Sequence, residues 1–152
     1  MKRKKIVVYI IILLIIMTTA GGLYFYKEYN RKNEDTFRLK ADYRVTADSI
    51  IKEFETNESS AGKKYSDKII VANGIVKDII KDDRGFYAVM LGDETSMSSV
   101  KCSMDSIHHV EAARLQKGVY TSIKGVCAGF NADELLGSDV VLVRCVIDKN
   151  KN

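Results

Sequence analysis

The 152-residue chain has no proline and no tryptophan, and its three cysteines all lie in the C-terminal third. The lack of proline excludes Pro-rich linkers and polyproline ligand motifs. No cysteine precedes Cys102, which excludes a lipid-modified cysteine near the N-terminus. No Cys-x-x-Cys spacing marks a zinc site, and no glycine-rich phosphate loop or nucleophile motif is present. The sequence therefore offers no cofactor, no metal ligand set and no catalytic residue, and it reads as a non-enzyme.

Charge of either sign is missing from Ile6 to Tyr26. A charge surplus is missing from the C-terminal part as well. Residues 1–44 hold ten Lys/Arg against four Asp/Glu, residues 45–64 three against four, and residues 65–152 eleven against twelve. The net charge of +4 thus comes from the neighbourhood of the apolar run. The C-terminal part is balanced and lacks the electrostatic footprint of a nucleic-acid binder.

What is present begins with Lys2, Arg3, Lys4 and Lys5 ahead of the apolar run. The run from Ile6 to Tyr26 would span about 31 Å as a helix, the thickness of a bilayer's hydrocarbon core. Tyr24, Phe25, Tyr26 and Tyr29 stand where an interfacial aromatic belt would sit. The basic flank predicts a cytoplasmic N-terminus. The expectation is a cytoplasmic tail over 1–5 and a single-pass transmembrane signal anchor over 6–26. A polar spacer over 27–45, whose basic residues can meet anionic headgroups, would then lead to an extracytoplasmic domain, periplasmic or at the cell surface. Thr18-Thr19-Ala20 leaves cleavage after Ala20 open as a competing reading. The anchor is favoured because apolar and aromatic residues continue past Ala20, and both readings export the domain.

From Thr46 the pattern turns helical. Thr46 suits an N-cap, and Ile50, Ile51, Phe54, Ala61 and Tyr65 make one apolar stripe, so a helix is expected over 46–64, loosening between Asn57 and Gly62. Five β segments follow within a domain over 65–148, ahead of a tail over 149–152. The first runs from Lys68 to Ile79 and contains Gly74, a mark of a bulge or bend. Asp82-Asp83-Arg84-Gly85 is a turn signal before Phe86 to Leu91. Ser99 to Met104 alternates, with Val100, Cys102 and Met104 on one face. A short helix is expected from Ile107 to Lys117. Tyr120 to Phe130 and Asp139 to Ile147 complete the set. The order β-β-β-α-β-β in about eighty residues predicts a mainly β domain. Its architecture would be a five-stranded OB-fold Greek-key barrel with a helix between the third and fourth strands.

Several stretches resemble the tRNA_anti-like family. Tyr65 to Val76 is similar to its first strand. Val100-Lys101-Cys102, Leu115 to Gly118, Ile123 to Gly129 and Val141 to Ile147 resemble its later signatures. The resemblance covers roughly residues 46–147. It implies an OB-fold, often behind an N-terminal membrane segment in bacteria. The family takes its name from likeness to the anticodon-binding barrel of tRNA synthetases, and the motifs are core and turn residues that identify a fold rather than a substrate.

The remaining chemistry-bearing residues have structural readings. Cys102, Cys127 and Cys145 fall in expected strands, as buried small side chains or, in an oxidising compartment, with one disulfide among three pairings. His108 and His109 project about 100° apart on a helix and suit surface positions. Asp82-Asp83 and Asp93-Glu94 read as turn formers. OB barrels bind along their second and third strands, which points here to Phe86, Tyr87, Lys101 and Ser103 as a ligand face. The leading expectation is a membrane-anchored binding module for an unidentified protein, glycan or small ligand. The alternatives are a nucleic-acid-binding OB domain and a structural part of an envelope assembly.

Overall fold

The computed structural model describes residues 17–19, 21–22, 35–133 and 137–149. The chain divides into two units, Met1–Glu34 and Asp35–Asn152. In the first, Met17 to Thr19 and Gly21-Gly22 are helical. Among the described residues no helix is long and apolar enough to cross a membrane. The tail over 1–5, most of the expected span over 6–26, the bond after Ala20, residues 27–34 of the spacer and residues 150–152 of the tail lie outside the described residues.

The second unit is mainly β. Its elements are β1 (Tyr43–Thr46), α1 (Ala47–Thr56), α2 (Glu58–Tyr65), β2 (Ile69–Lys81), β3 (Tyr87–Leu91), β4 (Ser99–Met104), α3 (His109–Ala112), β5 (Tyr120–Asn131) and β6 (Asp139–Ile147). The sheet order is β1-β2-β3-β4-β6-β5, and β5 pairs back onto β2 to close a five-stranded barrel. β4 and β6 run parallel, while the other barrel pairs are antiparallel. This closure is that of an OB-fold.

β-Branched residues make up more than half of β2 and β6, and apolar residues from all five barrel strands fill the interior. Ile70, Ala72, Val76, Val89, Leu91, Val100, Cys102, Ile123, Cys127, Val140, Leu142 and Cys145 share one buried cluster. Each fully buried aliphatic chain of this kind contributes on the order of 1.5–3 kcal/mol. All three cysteines are free thiols inside this core. β2 is long because it serves two sets of neighbours. Its first half pairs with β1 and β5, and its second half with β3. Gly74 lies at the change, where a Cβ would come 3.0 Å from that of Ala47 and 3.4 Å from that of Leu91. Gly125 permits the equivalent approach on β5, beside a register shift against β6.

Three expectations need correction. Residues 43–45, placed in the spacer, form β1 together with Thr46, whose side chain also caps the following helix, and the strand's parallel pairing from Tyr43↔Ile70 to Thr46↔Asn73 leaves no local sequence pattern. The helix over 46–64 is two helices. Asn57 ends α1 with extended backbone, and its side chain accepts the Ser60 N–H at 2.9 Å to start α2. The helix over 107–117 shrinks to His109–Ala112. Asp105 Oδ1 captures the Ile107 N–H at 2.9 Å in a local turn that competes with a regular first helical turn.

α1 buries Ala47, Ile50, Ile51 and Phe54. Phe54 stacks on Phe130 of β5 at 5.1 Å, which seats the helix on the barrel.

A strap precedes β1. The Asp42 N–H donates to the Ile69 carbonyl at 2.8 Å, and the Ile69 N–H donates to Asp42 Oδ2 at 2.9 Å. Further back, buried Lys124 of β5 donates to the carbonyls of Phe37 and Leu39 at 2.8 and 2.9 Å. Val71 and Val146 flank Lys124 across the sheet and are likewise buried. Residues 35–42 are thus an integral part of the folded unit.

Candidate ligand-binding rim

The β2–β3 hairpin is built by its acidic turn. Asp82 Oδ1 accepts the N–H groups of Arg84 and Phe86 at 3.0 and 2.8 Å, and Gly85 takes the positive φ of 88° that the turn requires. This places Phe86 at the barrel's rim, where it is exposed. Tyr87 stands opposite Lys81, whose ammonium lies 5.5 Å from the centre of its ring. Across the gap stands α3. A cleft of about 460 Å³ opens between them, lined by Lys81, Arg84, Phe86, Tyr87, His109 and Val110 among others, and no carboxylate lines it.

Two of the four anticipated ligand residues, Phe86 and Tyr87, therefore share one cleft. Tyr87 also packs against the core, so only part of its ring faces outward. Lys101 and Ser103 are half-buried on β4, paired with Met90 and Ala88 across β3. They sit apart from the cleft lining. Lys81, Arg84, His109 and Val110 were not anticipated. The available signal was the pair of cations flanking an Asp-Asp turn directly before two aromatics.

The histidines diverge, as adjacent residues do. His108 Nε2 lies 3.3 Å from Asp35 Oδ1, and its ring stacks on Phe37 at 5.9 Å. This makes His108 a partner of the strap rather than a surface residue. The Phe37 N–H at Asp35 Oδ1, followed by His108, holds the Asp35 carboxyl below its usual value.

A second cleft, of about 370 Å³, has the opposite character. Asp48, Asp93 and Glu94 line it with Ile75, Gly74 and Tyr120. Asp93 accepts from the Thr95 N–H at 2.8 Å and the Thr95 hydroxyl at 2.7 Å, which lowers its pKa. It behaves as a turn former. Among the described residues, no three His, Cys, Asp or Glu converge on a metal position.

The family comparison agrees with this fold. A family model described as tRNA_anti-like matches residues 1–147. Among solved structures, a Klebsiella pneumoniae protein described as a "putative nucleic acid-binding lipoprotein" superposes with a TM-score of 0.54 at 18% identity. The match covers 70% of this chain and 92% of that one. The asparaginyl-tRNA synthetase of Pyrococcus horikoshii follows at a TM-score of 0.38 and 15% identity, over 55% of this chain and 20% of the synthetase. That of Entamoeba histolytica gives 0.39 and 11%, over 57% and 22%. This chain thus spans only about a fifth of either synthetase. No curated protein sequence matches it. With a family match over nearly its whole length and the barrel closure of an OB-fold, the chain belongs to the tRNA_anti-like family.

Proposed function

We propose that this protein is a non-enzymatic, membrane-anchored binding module, held by residues 6–26 with its barrel outside the cytoplasm. Its ligand is anionic and is received at the cleft between the β2–β3 hairpin and α3. The observation that carries this reading is the cleft's lining, which combines Lys81, Arg84 and His109 with Phe86 and Tyr87 and contains no carboxylate. Lys81 and Arg84 attract the ligand's charge, and the aromatic faces supply apolar contact. The carboxylates with displaced pKa values, Asp35, Glu53, Asp78 and Asp93, owe them to turns and ion pairs outside this cleft. That pattern favours binding over acid–base catalysis.

Single-stranded nucleic acid is the second reading. The pairing of cations with Phe86 and Tyr87 is also the chemistry of a base-stacking groove, and the Klebsiella protein's description points the same way. The balanced charge of residues 65–152 weighs against it.

The test is titration of the full chain in detergent with labelled inorganic polyphosphate and, separately, labelled oligothymidylate, against the Lys81→Gln/Arg84→Gln double variant. Salt-sensitive polyphosphate binding that the double variant loses supports the anionic cleft. Binding that is absent, or unchanged in the variant, refutes it. Much tighter binding of oligothymidylate than of polyphosphate establishes the second reading.

A further inference from the structure

We infer that His109 makes binding at the cleft between the β2–β3 hairpin and α3 pH-dependent. The cleft takes a proton from solvent onto His109 Nε2 together with its anionic ligand, and it weakens its hold as that proton is lost. The inference rests on the anionic-cleft reading above and adds the regulation of that same site.

One edge of the ring is already committed. His109 Nδ1 bonds to the carbonyl of Ser106, three residues back in the turn that leads into α3. A carbonyl oxygen only accepts, so Nδ1 carries the donated proton whether the ring is neutral or charged. The contact thereby selects the tautomer, and Nε2 is left as the nitrogen that gains and loses a proton. Among the described residues the His109 ring makes no other hydrogen bond. His109 is exposed and lines the cleft with Ser106, Lys81, Arg84 and Tyr87.

The state of Nε2 changes what the cleft offers an anion. Unprotonated, it is a lone pair, which repels a phosphate or carboxylate oxygen. Protonated, it is a charged donor beside Lys81 and Arg84. An anion in the cleft favours the charged ring, so proton uptake accompanies binding. Affinity is therefore highest where the ring is already charged, and it falls as pH rises through the ring's titration.

The surrounding charges form a constant background to this change. Histidine is the side chain whose charge ordinarily changes between pH 5 and 8, and the chain has two. His108 turns away to Asp35 and Phe37 of the strap and does not line the cleft. From the hairpin, Lys81, Arg84 and Tyr87 line the cleft. In the hairpin turn, Asp82 Oδ1 is turned back onto the N–H groups of Arg84 and Phe86, and Asp83 is exposed. On the α3 side, Asp105 Oδ1 accepts the Ile107 N–H, Glu111 pairs with Lys149 at 2.7 Å, and Arg114 is exposed. None of these carboxylates lines the cleft.

The test titrates the full chain in detergent with labelled long-chain inorganic polyphosphate at pH about 5.5 and about 8, the two sides of histidine titration. The interior phosphates of such a chain keep their charge across this range. Wild type and His108→Gln are expected to bind about tenfold more tightly at the acidic pH, the weight of one charge-assisted hydrogen bond. His109→Gln is expected to lose that difference. If His109→Gln retains the wild-type pH dependence, or wild type shows none, the inference is overturned, and the cleft stands provided Lys81→Gln/Arg84→Gln loses binding. If wild type does not bind at either pH, the cleft reading fails and the inference falls with it. Nitrogen-15 spectra of the ring test the tautomer without any ligand. A proton on Nδ1 at pH about 8 is expected, and a proton on Nε2 instead overturns the inference.

Discussion

Lys124 donates from its ammonium to the carbonyl of Phe37 at 2.8 Å, across 87 positions of sequence. A second bond reaches the Leu39 carbonyl at 2.9 Å. The lysine is almost fully buried, and its charge is met by backbone dipoles of the strap. Lys124→Met keeps the apolar stem and removes the donor, leaving two carbonyls without it. The expected loss is about 1.5–3 kcal/mol, the scale of a hydrogen bond to a charged group. Urea unfolding followed by circular dichroism measures it, and faster amide exchange across 35–42 locates it. An unchanged midpoint would show that the strap does not depend on Lys124.

Gly125 is required by contact rather than by turn geometry. A Cβ there would lie 2.5 Å from Cys145 Sγ, 3.1 Å from Leu142 Cβ and 3.2 Å from the Val143 carbonyl. Backbone and core cannot all retreat, so Gly125→Ala is expected to cost about 1–3 kcal/mol by overpacking. Gly85 has open space around its Cβ position but a positive φ. Gly85→Ala should cost about 1 kcal/mol through backbone strain alone. Chemical denaturation of the two variants separates these causes.

Glu53 links the stability of the α1–α2 pair to pH. The Lys64 ammonium at 2.7 Å holds its carboxyl below the usual value against the opposing effect of burial, with a further contribution from the Tyr65 hydroxyl at 3.0 Å. A carboxylate with a depressed folded pKa contributes stability above its unfolded pKa of about 4.3 and loses it as pH falls through the folded value. The pair is largely exposed, so the contribution is on the order of 0.2–1 kcal/mol. Glu53→Gln should narrow the difference in urea midpoint between neutral pH and pH about 3. An identical difference in variant and wild type would remove the ion pair from the account.

The three thiols should be inert in the folded protein. Cys102, Cys127 and Cys145 are fully buried, and burial pushes the thiols of Cys127 and Cys145 up. Thiolate is the reactive form. Ellman's reagent at mildly alkaline pH should label no cysteine before unfolding and all three after it. Fast labelling of one thiol in the native state would contradict the packing described here.

The parts of this fold that depend on short-range patterning could be read from sequence. Val100, Cys102 and Met104 alternate because one face of β4 is core, and β4 and β6 fall on the ranges their residues suggest. Gly74 marked the sharp approach of β2 to its neighbours. The misses involve partners distant in sequence. β1 is a strand only because β2 offers it an edge, and Lys124 is buried only because the strap covers it. The cleft was half legible. Phe86 and Tyr87 stood out as aromatics in the second barrel strand. Their assembly with His109 and Val110 depends on how the barrel brings α3 against the hairpin.

The central claim is an anchored barrel on the outer side of a membrane, and the direct test is the location of its C-terminus. Alkaline phosphatase, which is active only after export, is fused after Asn152 and compared with a fluorescent protein that matures only in the cytoplasm. The account predicts phosphatase activity that fractionates with membranes and no fluorescence. A fluorescent, phosphatase-negative fusion would place the barrel in the cytoplasm, contradict the exported reading, and make intracellular nucleic acid the first ligand to test.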